Sequence, residues 1–496
     1  MNKNTKWLKY IVRIALTIVL IYLVWPVLFV FKAYLSDSSK PYQANIPNGY
    51  VNDASRLDLT KVDTVLTIST DSTKAVQQLV SLVKYVDSTG KKVSIAGARH
   101  SMGGHTIYPN GIQVNMLPFN RMHLDESKKI LYVQAGARWA EVILYLNSKG
   151  YSVSVMQSNN SFSVGGSISV NCHGWQNNSG PIASTVIGFD LIKANGEIIH
   201  CSRTENKELF GLVLGGYGLF GIILNVELKV VPNREYKSNR YVIASTDYVS
   251  NYAKYVDGHK EVEMAYGRLD ISPDNFLKEA ILNTYTADTT VKGILPLGDP
   301  TLVAARRSIF RSSVGSAYGK AMRWKAEKKL GEFASSKAFS RNDLLNEGVE
   351  IYEDRDTVST DILHEYFIPR NKVNEFISAM QQIIPADSAD LLNVTIREVE
   401  NDTDTYMRYA NGEVFGFVML FNQAKTKLGE IKMEKLTIDL IDAALKSGGR
   451  YYLPYRLHAT REQFYKAYPM ANEFFRLKKL YDPKEVFNNL FYTKYK

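Results

Sequence analysis

The stretch VSIAGARHSMGGHT, from Val93 to Thr106, decides the fold of this chain. A short apolar run, typical of a buried strand, leads directly into a glycine-rich loop that carries His100 and Ser101. The backbone amides of such a loop can surround an anion, because glycine lets the main chain approach a ligand without a Cβ. The pattern predicts a phosphate-binding loop at the end of a strand, with a histidine near its tip.

Two more glycine-rich loops follow along the chain. They are VGGSISVNCHG, from Val164 to Gly174, and GGYGLFG, from Gly215 to Gly221. Three of the eight histidines, His100, His105 and His173, lie in or beside the first two loops. Taken singly, each histidine is most simply a loop residue bonded to the backbone. Together, the three loops favour a concave set of donors for an anionic ligand.

Two common ligand sites are disfavoured by their context. Gly216, Gly218 and Gly221 fit the pattern G-x-G-x-x-G, but a nicotinamide site needs a strand before this pattern and a helix after it. The order here is the reverse. The five-residue spacing of His100 and His105 in a loop is not the helical pair of a zinc site, so we expect no metal.

The N-terminal segment is strongly apolar. Residues 14–31 form 18 consecutive positions without a charge, which would span about 27 Å as a helix. A cleaved signal peptide is the alternative, but the run is long and no Ala-x-Ala motif follows it. The positive-inside rule then predicts a single-pass membrane protein with a cytoplasmic N-terminus and the catalytic part on the opposite side, because the run is preceded by Lys3, Lys6, Lys9 and Arg13.

Composition and periodicity bound the domain organisation. With 496 residues, 45% of them hydrophobic, the chain is long enough for more than one domain. Helical and strand patterns alternate up to the hairpin signal Asn195-Gly196, and a less punctuated stretch follows. We therefore expect an α+β chain with a transmembrane anchor (10–34), a linker (35–62), a first domain (63–232), a second domain (233–447) and a closing segment (448–496).

The charge pattern does not point to nucleic acid. The net charge is +10, but the basic residues are spread along the chain and form no nucleic-acid-binding module. We therefore expect no nucleic-acid partner.

The glycine-rich loops together resemble a known family. GARHSMGG, at 97–104, is similar to the phosphate-binding loop of FAD-binding PCMH-type flavoproteins, the vanillyl-alcohol oxidase superfamily, and the other two loops follow in the family's order. Within the superfamily the chain resembles aldonolactone and alditol oxidases, decaprenylphosphoryl-ribose oxidase and cytokinin dehydrogenases. The resemblance implies a two-subdomain α+β FAD-binding domain over 63–232, a separate α+β substrate domain over 233–447, and a segment over 448–496 that returns to the FAD domain.

The resemblance also implies FAD as the cofactor and assigns residues to it by position. His100 matches the histidine that bonds covalently to the flavin ring in relatives, whereas Arg99 stands where the family usually has glycine. The closing motif DPKEVFNN ends at Asn489, which is expected beside the cofactor. The full set of expected FAD-binding residues is Gly97, Arg99, His100, Ser101, Gly103, His105, Gly165, Gly166, Ser167, Ser169, Asn171, His173, Gly174, Gly216, Gly221, Ile222 and Asn489.

The family's usual catalytic bases are missing from their positions. Ser158 stands where cytokinin dehydrogenases carry an aspartate, and Tyr455 stands where alditol oxidases and decaprenylphosphoryl-ribose oxidase carry a lysine. A phenol is a poor base unless a cation such as Arg456 lowers its pKa, so a packed aromatic is the alternative reading of Tyr455. His458 is the other candidate base.

Arg397 resembles the arginine that lies near the flavin and the substrate oxygen in aldonolactone and alditol oxidases. Its fixed charge would polarise a hydroxyl group or stabilise negative charge on the reduced cofactor. A surface ion pair with Glu398 or Glu400 is the alternative. We expect Arg397, Tyr455 and His458 as the catalytic residues.

The activity implied by the resemblance is that of an FAD-linked oxidase or dehydrogenase acting on CH–OH groups, with the hydride passing to flavin N5. The expected substrate is a sugar, a sugar lactone, a polyol or a lipid-linked sugar, and the expected electron acceptor is molecular oxygen or a quinone. Two alternatives stay open: an oxygen-insensitive dehydrogenase that feeds a membrane electron carrier, and a non-catalytic flavin-binding protein.

Overall fold

The computed structural model describes residues 3–38, 46–291, 293–298, 302–334 and 338–496. Helix α1 (Lys3–Ser38) is followed by strands β1 (Tyr50–Val51) and β2 (Thr60–Lys61), which pair antiparallel. Near the end of α1, the Asp37 carboxylate lies 2.6 Å from the Arg307 guanidinium. Of the predicted linker, residues 39–45 lie outside the described part of the chain.

The prediction of an N-terminal transmembrane helix is wrong. Among the described residues, no helix has both the length and the apolar character that a membrane crossing requires.

A small parallel sheet carries the first glycine-rich loop. Its strands are β3 (Thr64–Thr67), β4 (Val93–Ala96) and β5 (Ile112–Asn115), in the order β3-β5-β4, and helix α2 (Ser72–Thr89) connects β3 to β4. Asp71 caps α2 by accepting a hydrogen bond from the Lys74 amide at 2.9 Å, and Gly90 ends the helix with a φ of 74°. The loop of residues 97–106 therefore leaves the sheet at the carboxyl end of β4.

A second, antiparallel sheet carries the other two loops. Its strand order is β10-β9-β11-β7-β6, with β8 beside β11, and the hairpin predicted at Asn195-Gly196 is confirmed between β9 and β10. Ile192 and Ile222 from this sheet share one core with Val114 of the parallel sheet, so the two sheets pack as one unit. The elements are β6 (Met122–Asp125), β7 (Ile130–Gln134), α3 (Trp139–Asn147), β8 (Tyr151–Val153), α4 (Val164–Ser169), β9 (Val186–Ile192), β10 (Ile198–Ser202), α5 (Lys207–Val213) and β11 (Ile222–Pro232).

The next part of the chain forms a large antiparallel sheet. One of its faces packs in a core with Phe376, Met380, Leu436 and Leu440 of two long helices. The elements are β12 (Glu235–Ala244), α6 (Tyr248–Tyr255), β13 (Val262–Leu269), β14 (Glu279–Asp288), α7 (Val303–Arg311), α8 (Ala317–Ala334), β15 (Ala338–Ser340), α9 (Arg341–Leu345), β16 (Ser359–Pro369), α10 (Val373–Ala386), β17 (Asp390–Val399), β18 (Val414–Ala424) and α11 (Lys427–Lys446).

The closing segment joins the two units. Strand β19 (Arg450–Tyr451) pairs with β16 and completes the sheet order β15-β12-β14-β13-β17-β18-β16-β19. After α12 (Arg461–Ala467) and α13 (Ala471–Tyr481), Phe487 forms a parallel bridge with Val93 of β4, and helix α14 (Leu490–Tyr495) follows. The last residues thus lie beside the strand that feeds the first glycine-rich loop.

Candidate active site

A cavity of about 1680 Å³ lies between the two units. One wall consists of the three glycine-rich loops, and the opposite wall is a face of the large sheet, with side chains from β13, β14, β16, β17 and β18. Pockets for single small molecules usually measure about 300–1,000 Å³. The cavity is therefore large enough for a cofactor and a second ligand.

The first loop offers unpartnered donors to this cavity. Within the described part of the chain, the backbone amides of Arg99, His100 and Ser101 make no hydrogen bond, and the buried Ser101 hydroxyl has no partner. Arg99 adopts a left-handed φ of 57°, and its guanidinium donates to Gln113 Oε1 at 2.9 and 3.0 Å. The arginine therefore takes the glycine-like conformation of the residue that it replaces, and the amides stay available for an anion.

Two histidines of this loop are neutral; His105 is buried and His100 is half-buried. His100 stacks on Phe162 with ring centroids 4.3 Å apart, and burial lowers the pKa of His100 to about 4. His105 packs against the rings of Tyr217 and Phe491, and burial lowers its pKa to about 3. Both imidazoles face the cavity without a charge at neutral pH.

The second glycine-rich stretch, which begins with helix α4, forms the adjoining wall. Gly165 and Gly166 line the cavity, and a Cβ on Gly165 would lie 2.8 Å from the Cβ of Ala135, which directly follows β7. The Ser167 hydroxyl donates to Gln157 and accepts from the Trp139 indole, both at 2.8 Å. Glycine at 165 therefore lets α4 sit against the sheet and expose its backbone to the cavity.

The structure brings most of the predicted cofactor residues to one cavity. The residues that line it are Gly97, Arg99, His100, Ser101, His105, Gly165, Gly166, Ser167, Ser169, His173 and Gly221. Those that do not line it are Gly103, Asn171, Gly174, Gly216, Ile222 and Asn489.

The residues outside the cavity shape its walls instead. Asn171 donates to Asp402 at 2.9 Å, and Asn489 donates to the carbonyls of His105 and Tyr217 at 3.0 and 2.8 Å. Gly103 allows the first loop to approach the closing segment closely, because a Cβ at this position would lie 2.3 Å from the backbone carbonyl oxygen of Tyr455. Similar close approaches to backbone occur at Gly174 and Gly216, while Ile222 is buried in the core.

The opposite wall contains a carboxylate that was not predicted from the sequence. Glu365 Oε1 lies 2.5 Å from His173 Nε2, and Glu365 Oε2 accepts a hydrogen bond from the Tyr455 hydroxyl at 3.1 Å. All three side chains line the cavity, and those of His173 and Glu365 are almost fully buried. This cluster joins the second loop, strand β16 and the closing segment.

Tyr455 is placed beside the cluster but is held in its protonated form. Burial, followed by the nearby Glu365 carboxylate, raises the pKa of Tyr455 well above its usual value. Arg456 does not lower this pKa, because its guanidinium pairs with Asp58 and Glu430 instead. Tyr455 is therefore a hydrogen-bond donor in this site.

Arg397 projects into the cavity from strand β17. The alternative of an ion pair with Glu398 is wrong, because Glu398 lies on the other face of the strand and pairs with Arg370. Within the described residues Arg397 makes no ion pair, and its buried Nε has no hydrogen-bond partner. Arg397 therefore presents a fixed cation to the cavity that Glu365 and Tyr455 also line.

His458 is not brought to the cavity. Its Nε2 lies 2.9 Å from Glu430 and its Nδ1 lies 2.9 Å from the Thr437 hydroxyl, within a buried network behind the sheet. The structure thus places Arg397 and Tyr455 together and leaves His458 apart.

The rest of the sheet wall is aromatic and polar. Trp175 packs against Tyr266 and Tyr285 with ring centroids 5.2 and 5.1 Å apart. Asn393 donates to the Thr395 hydroxyl at 3.1 Å, and the buried Oδ1 of Asn393 has no partner within the described chain. Flat aromatic faces next to hydroxyl and amide groups suit a ligand that carries several hydroxyl groups.

Comparison with known proteins identifies the loop-bearing part. Residues 57–202 match the family described as FAD binding domain. Cytokinin dehydrogenase 2 from Arabidopsis thaliana is 30% identical over 238 residues, which cover 48% of this chain and 45% of that protein. L-gulonolactone oxidase from Bos taurus is 29% identical over 162 residues, which cover 32% of this chain and 36% of that protein.

One relative matches most of the chain. Decaprenylphosphoryl-beta-D-ribose oxidase from Mycolicibacterium smegmatis is 22% identical over 439 residues, covering 82% of this chain and 90% of that protein. By contrast, the chain spans less than half the length of the cytokinin dehydrogenase and the L-gulonolactone oxidase. The resemblance to FAD-binding flavoproteins that the glycine-rich loops indicated is confirmed, and so is FAD as the cofactor.

Proposed function

We propose that this chain, whose residues 57–202 form an FAD-binding domain, is an FAD-dependent oxidoreductase that oxidises a CH–OH group. The observation that carries the proposal is the meeting of two walls in one cavity. The loops of the FAD-binding domain form one wall, and Glu365, Arg397 and Tyr455 lie on the other. A cofactor held by the loops would thus face a second ligand held by the sheet.

The residues present fit FAD. The free amides of the first loop and the Ser101 hydroxyl are donors for its pyrophosphate, and the glycines of the second loop leave room for a flat ring. When bound, FAD supplies a hydride acceptor, while the protein supplies binding, orientation and charge. The neutral imidazole of His100 is the proposed covalent tether, because an uncharged ring nitrogen retains the lone pair that a new bond requires.

Arg397 would act on the second ligand and on charge near the ring. Its guanidinium is always protonated, and its buried Nε has no hydrogen-bond partner within the described chain. Such a cation stabilises the partial negative charge that develops on an oxygen as a hydroxyl loses its proton. It would equally stabilise negative charge that accumulates on the cofactor.

The substrate class follows from the sheet wall and from the relatives. Trp175, Tyr266 and Tyr285 offer flat apolar surfaces, and Asn393 and Thr395 offer polar groups. The names of the relatives include oxidases of a sugar lactone and of a lipid-linked ribose. We therefore propose a sugar, a sugar lactone, a polyol or a lipid-linked sugar, with molecular oxygen or a quinone as the electron acceptor.

The test is anaerobic mixing of the purified protein with candidate alcohols. We expect a yellow protein whose flavin absorbance band bleaches with at least one sugar, lactone, polyol or lipid-linked sugar. Admitting oxygen or a soluble quinone then identifies the acceptor by the return of the band. A yellow protein that bleaches with none of these substrates would support flavin binding without catalysis and contradict the proposal.

A further inference from the structure

We propose that Glu365 is the catalytic base that accepts the hydroxyl proton of the substrate, and that His173 and Tyr455 hold its carboxylate in position. This inference rests on the proposed function, since it names the residue that performs one of its steps. The usual bases of the family are absent here, with Ser158 and Tyr455 at their positions. Glu365 instead reaches the cavity from strand β16.

The hydrogen bonds of His173 indicate where protons lie between His173 and Glu365. Its Nδ1 lies 3.2 Å from the Gly174 carbonyl oxygen, and its Nε2 lies 2.5 Å from Glu365 Oε1. A carbonyl oxygen can only accept, so Nδ1 carries a hydrogen, and one further proton lies between Nε2 and Oε1. In the proposed arrangement the His173 imidazolium pairs with the Glu365 carboxylate, so that a buried charge of each sign is compensated.

The second oxygen of Glu365 is the one that faces the reaction. Oε2 accepts the Tyr455 hydrogen bond at 3.1 Å, and a carboxylate oxygen can accept a second hydrogen bond. Arg397 on β17 pairs with Gly416 of β18, and Glu365 on β16 pairs with Val418 of the same strand. The two side chains therefore flank neighbouring positions of β18, and both line the cavity. A substrate hydroxyl can therefore donate to Oε2 while the Arg397 cation stabilises the oxygen.

Other groups at the cavity are less suited to accept this proton. Tyr455 already donates to Glu365, and Arg397 has no lone pair to accept a proton. His100 and His105 belong to the opposite, cofactor-facing wall. The remaining carboxylates at the cavity pair with arginines or accept from backbone amides, namely Asp53, Asp343, Glu347, Glu353, Asp354 and Asp361.

The balance of the step is simple. The O–H bond of the substrate breaks and its proton moves to Glu365 Oε2. The hydrogen of the C–H bond leaves with two electrons for FAD, the oxidant, and a C=O double bond forms. The substrate loses two electrons and two hydrogens in total.

The test compares Glu365→Gln with the wild type in their flavin-loaded forms. We expect Glu365→Gln to retain its flavin but to reduce it about 10²- to 10⁴-fold more slowly under anaerobic substrate, because the amide cannot accept the proton. Glu365→Asp keeps the carboxylate at a shorter reach and should fall between the two. Glu398→Gln is the matched control, because it removes a buried, arginine-paired carboxylate from the other face of the same sheet and should leave the rate unchanged.

A second readout does not depend on turnover. In protein labelled with ¹⁵N-histidine, we expect both ring nitrogens of His173 to give protonated signals at neutral pH, with the assignment taken from His173→Asn. In Glu365→Gln the ring should become neutral, because its carboxylate partner is gone. A ring unchanged by the substitution would show that the two residues do not share a proton and would overturn the pairing.

The outcomes separate this inference from the proposed function. If the wild type bleaches but Glu365→Gln bleaches within about threefold of the same rate, the base is another group and only this inference fails. An equal loss in Glu398→Gln would assign the effect to the sheet and likewise overturn it. If the wild type bleaches with no alcohol, the proposed function fails and this step fails with it, whatever the spectrum of His173 shows.

Discussion

His100 is the residue on which the tightest form of cofactor binding depends. It lies at the tip of the first loop, faces the cavity and stacks on Phe162. Burial lowers the pKa of His100 to about 4, so the ring is uncharged under physiological conditions. An uncharged ring within reach of the cofactor meets the first chemical requirement for a histidyl link.

The first prediction therefore concerns His100→Ala. We expect the wild type to keep its yellow colour in the pellet after acid precipitation, and the variant to release free FAD into the supernatant. His105→Ala is the matched control, since His105 is a buried histidine of the same loop and should leave the link intact. Complete release of FAD from the wild type would contradict the tether while leaving flavin binding itself untouched.

The backbone conformation of Arg99 could not be predicted from the sequence of the loop. Its identity breaks the glycine pattern of the loop and suggests altered geometry, yet the backbone adopts a left-handed φ of 57° all the same. The conformation is supported by Gln113, whose side chain lies on the neighbouring strand β5 and accepts from the guanidinium. Such a bond from the loop to the neighbouring strand depends on how the two meet in the fold, which the loop sequence does not contain.

At the scale of elements, the first loop and helix α4 are fitted to each other through two small residues. A Cβ on Gly97 would lie 1.9 Å from Ser163 Oγ and 3.0 Å from Ser163 Cβ, and Ser163 is the residue that directly precedes the second loop. Two of the three cofactor loops therefore meet at this contact. The distance between Gly97 and Ser163 therefore sets the separation of the two loops.

The second prediction uses this contact. We expect Gly97→Ala to destabilise the protein by about 1–3 kcal/mol through overpacking and to weaken FAD retention, because the two loops must separate. The double variant Gly97→Ala/Ser163→Ala removes the closest atom and should recover part of both losses, measured by thermal unfolding and by FAD titration of the unloaded protein. Gly180→Ala, whose Cβ would meet its neighbours at 3.6 Å, should behave as the wild type. Equal losses in the single and double variants would show that the contact is not the cause.

Local signals explain which elements could be predicted. The cap at Asp71, the stop at Gly90 and the turn at Asn195-Gly196 are all set by short-range chemistry, and the helix and hairpin they bound are present. Glu365 could not be found in the same way, because it sits in an apolar stretch that reads as an ordinary buried strand. Its role depends on β16, the second loop and the closing segment meeting in space.

At the scale of the whole molecule, the first cofactor loop is supported from both ends of the chain. Asn489 in the closing segment donates to the carbonyl of His105, and Asp53 near the start accepts from the Gly104 amide at 2.8 Å. Asp58 pairs with Arg456, so the early segment is also tied to the closing segment. The stability of this arrangement and the geometry of the loop are therefore linked.

Asp53 makes that linkage dependent on pH. Burial, followed by repulsion from Asp58, raises the pKa of Asp53 from 3.8 to about 7 in the folded protein. In the unfolded chain the carboxyl returns to its ordinary pKa, so between about pH 4 and pH 7 the folded state holds a proton that the unfolded state has lost. The unfolded state binds fewer protons in this window, and the contribution of Asp53 to the free energy of unfolding must fall as the pH rises through it.

The third prediction is that this decline disappears in Asp53→Asn, which cannot ionise. We expect the difference in melting temperature between the wild type and Asp53→Asn to shift against the wild type as the pH rises from about 4 to about 7 and then to level off, measured by thermal unfolding in matched buffers. Titrating groups that do not interact with Asp53 act equally on both proteins and cancel in the difference. Asp58→Asn should move the wild-type decline to lower pH, because it removes the like charge that helps to raise the pKa of Asp53. A difference that stays constant across this range would mean that Asp53 is ionised in the folded protein, and its hydrogen bonds to Ser55 and Gly104 would then have to outweigh its burial.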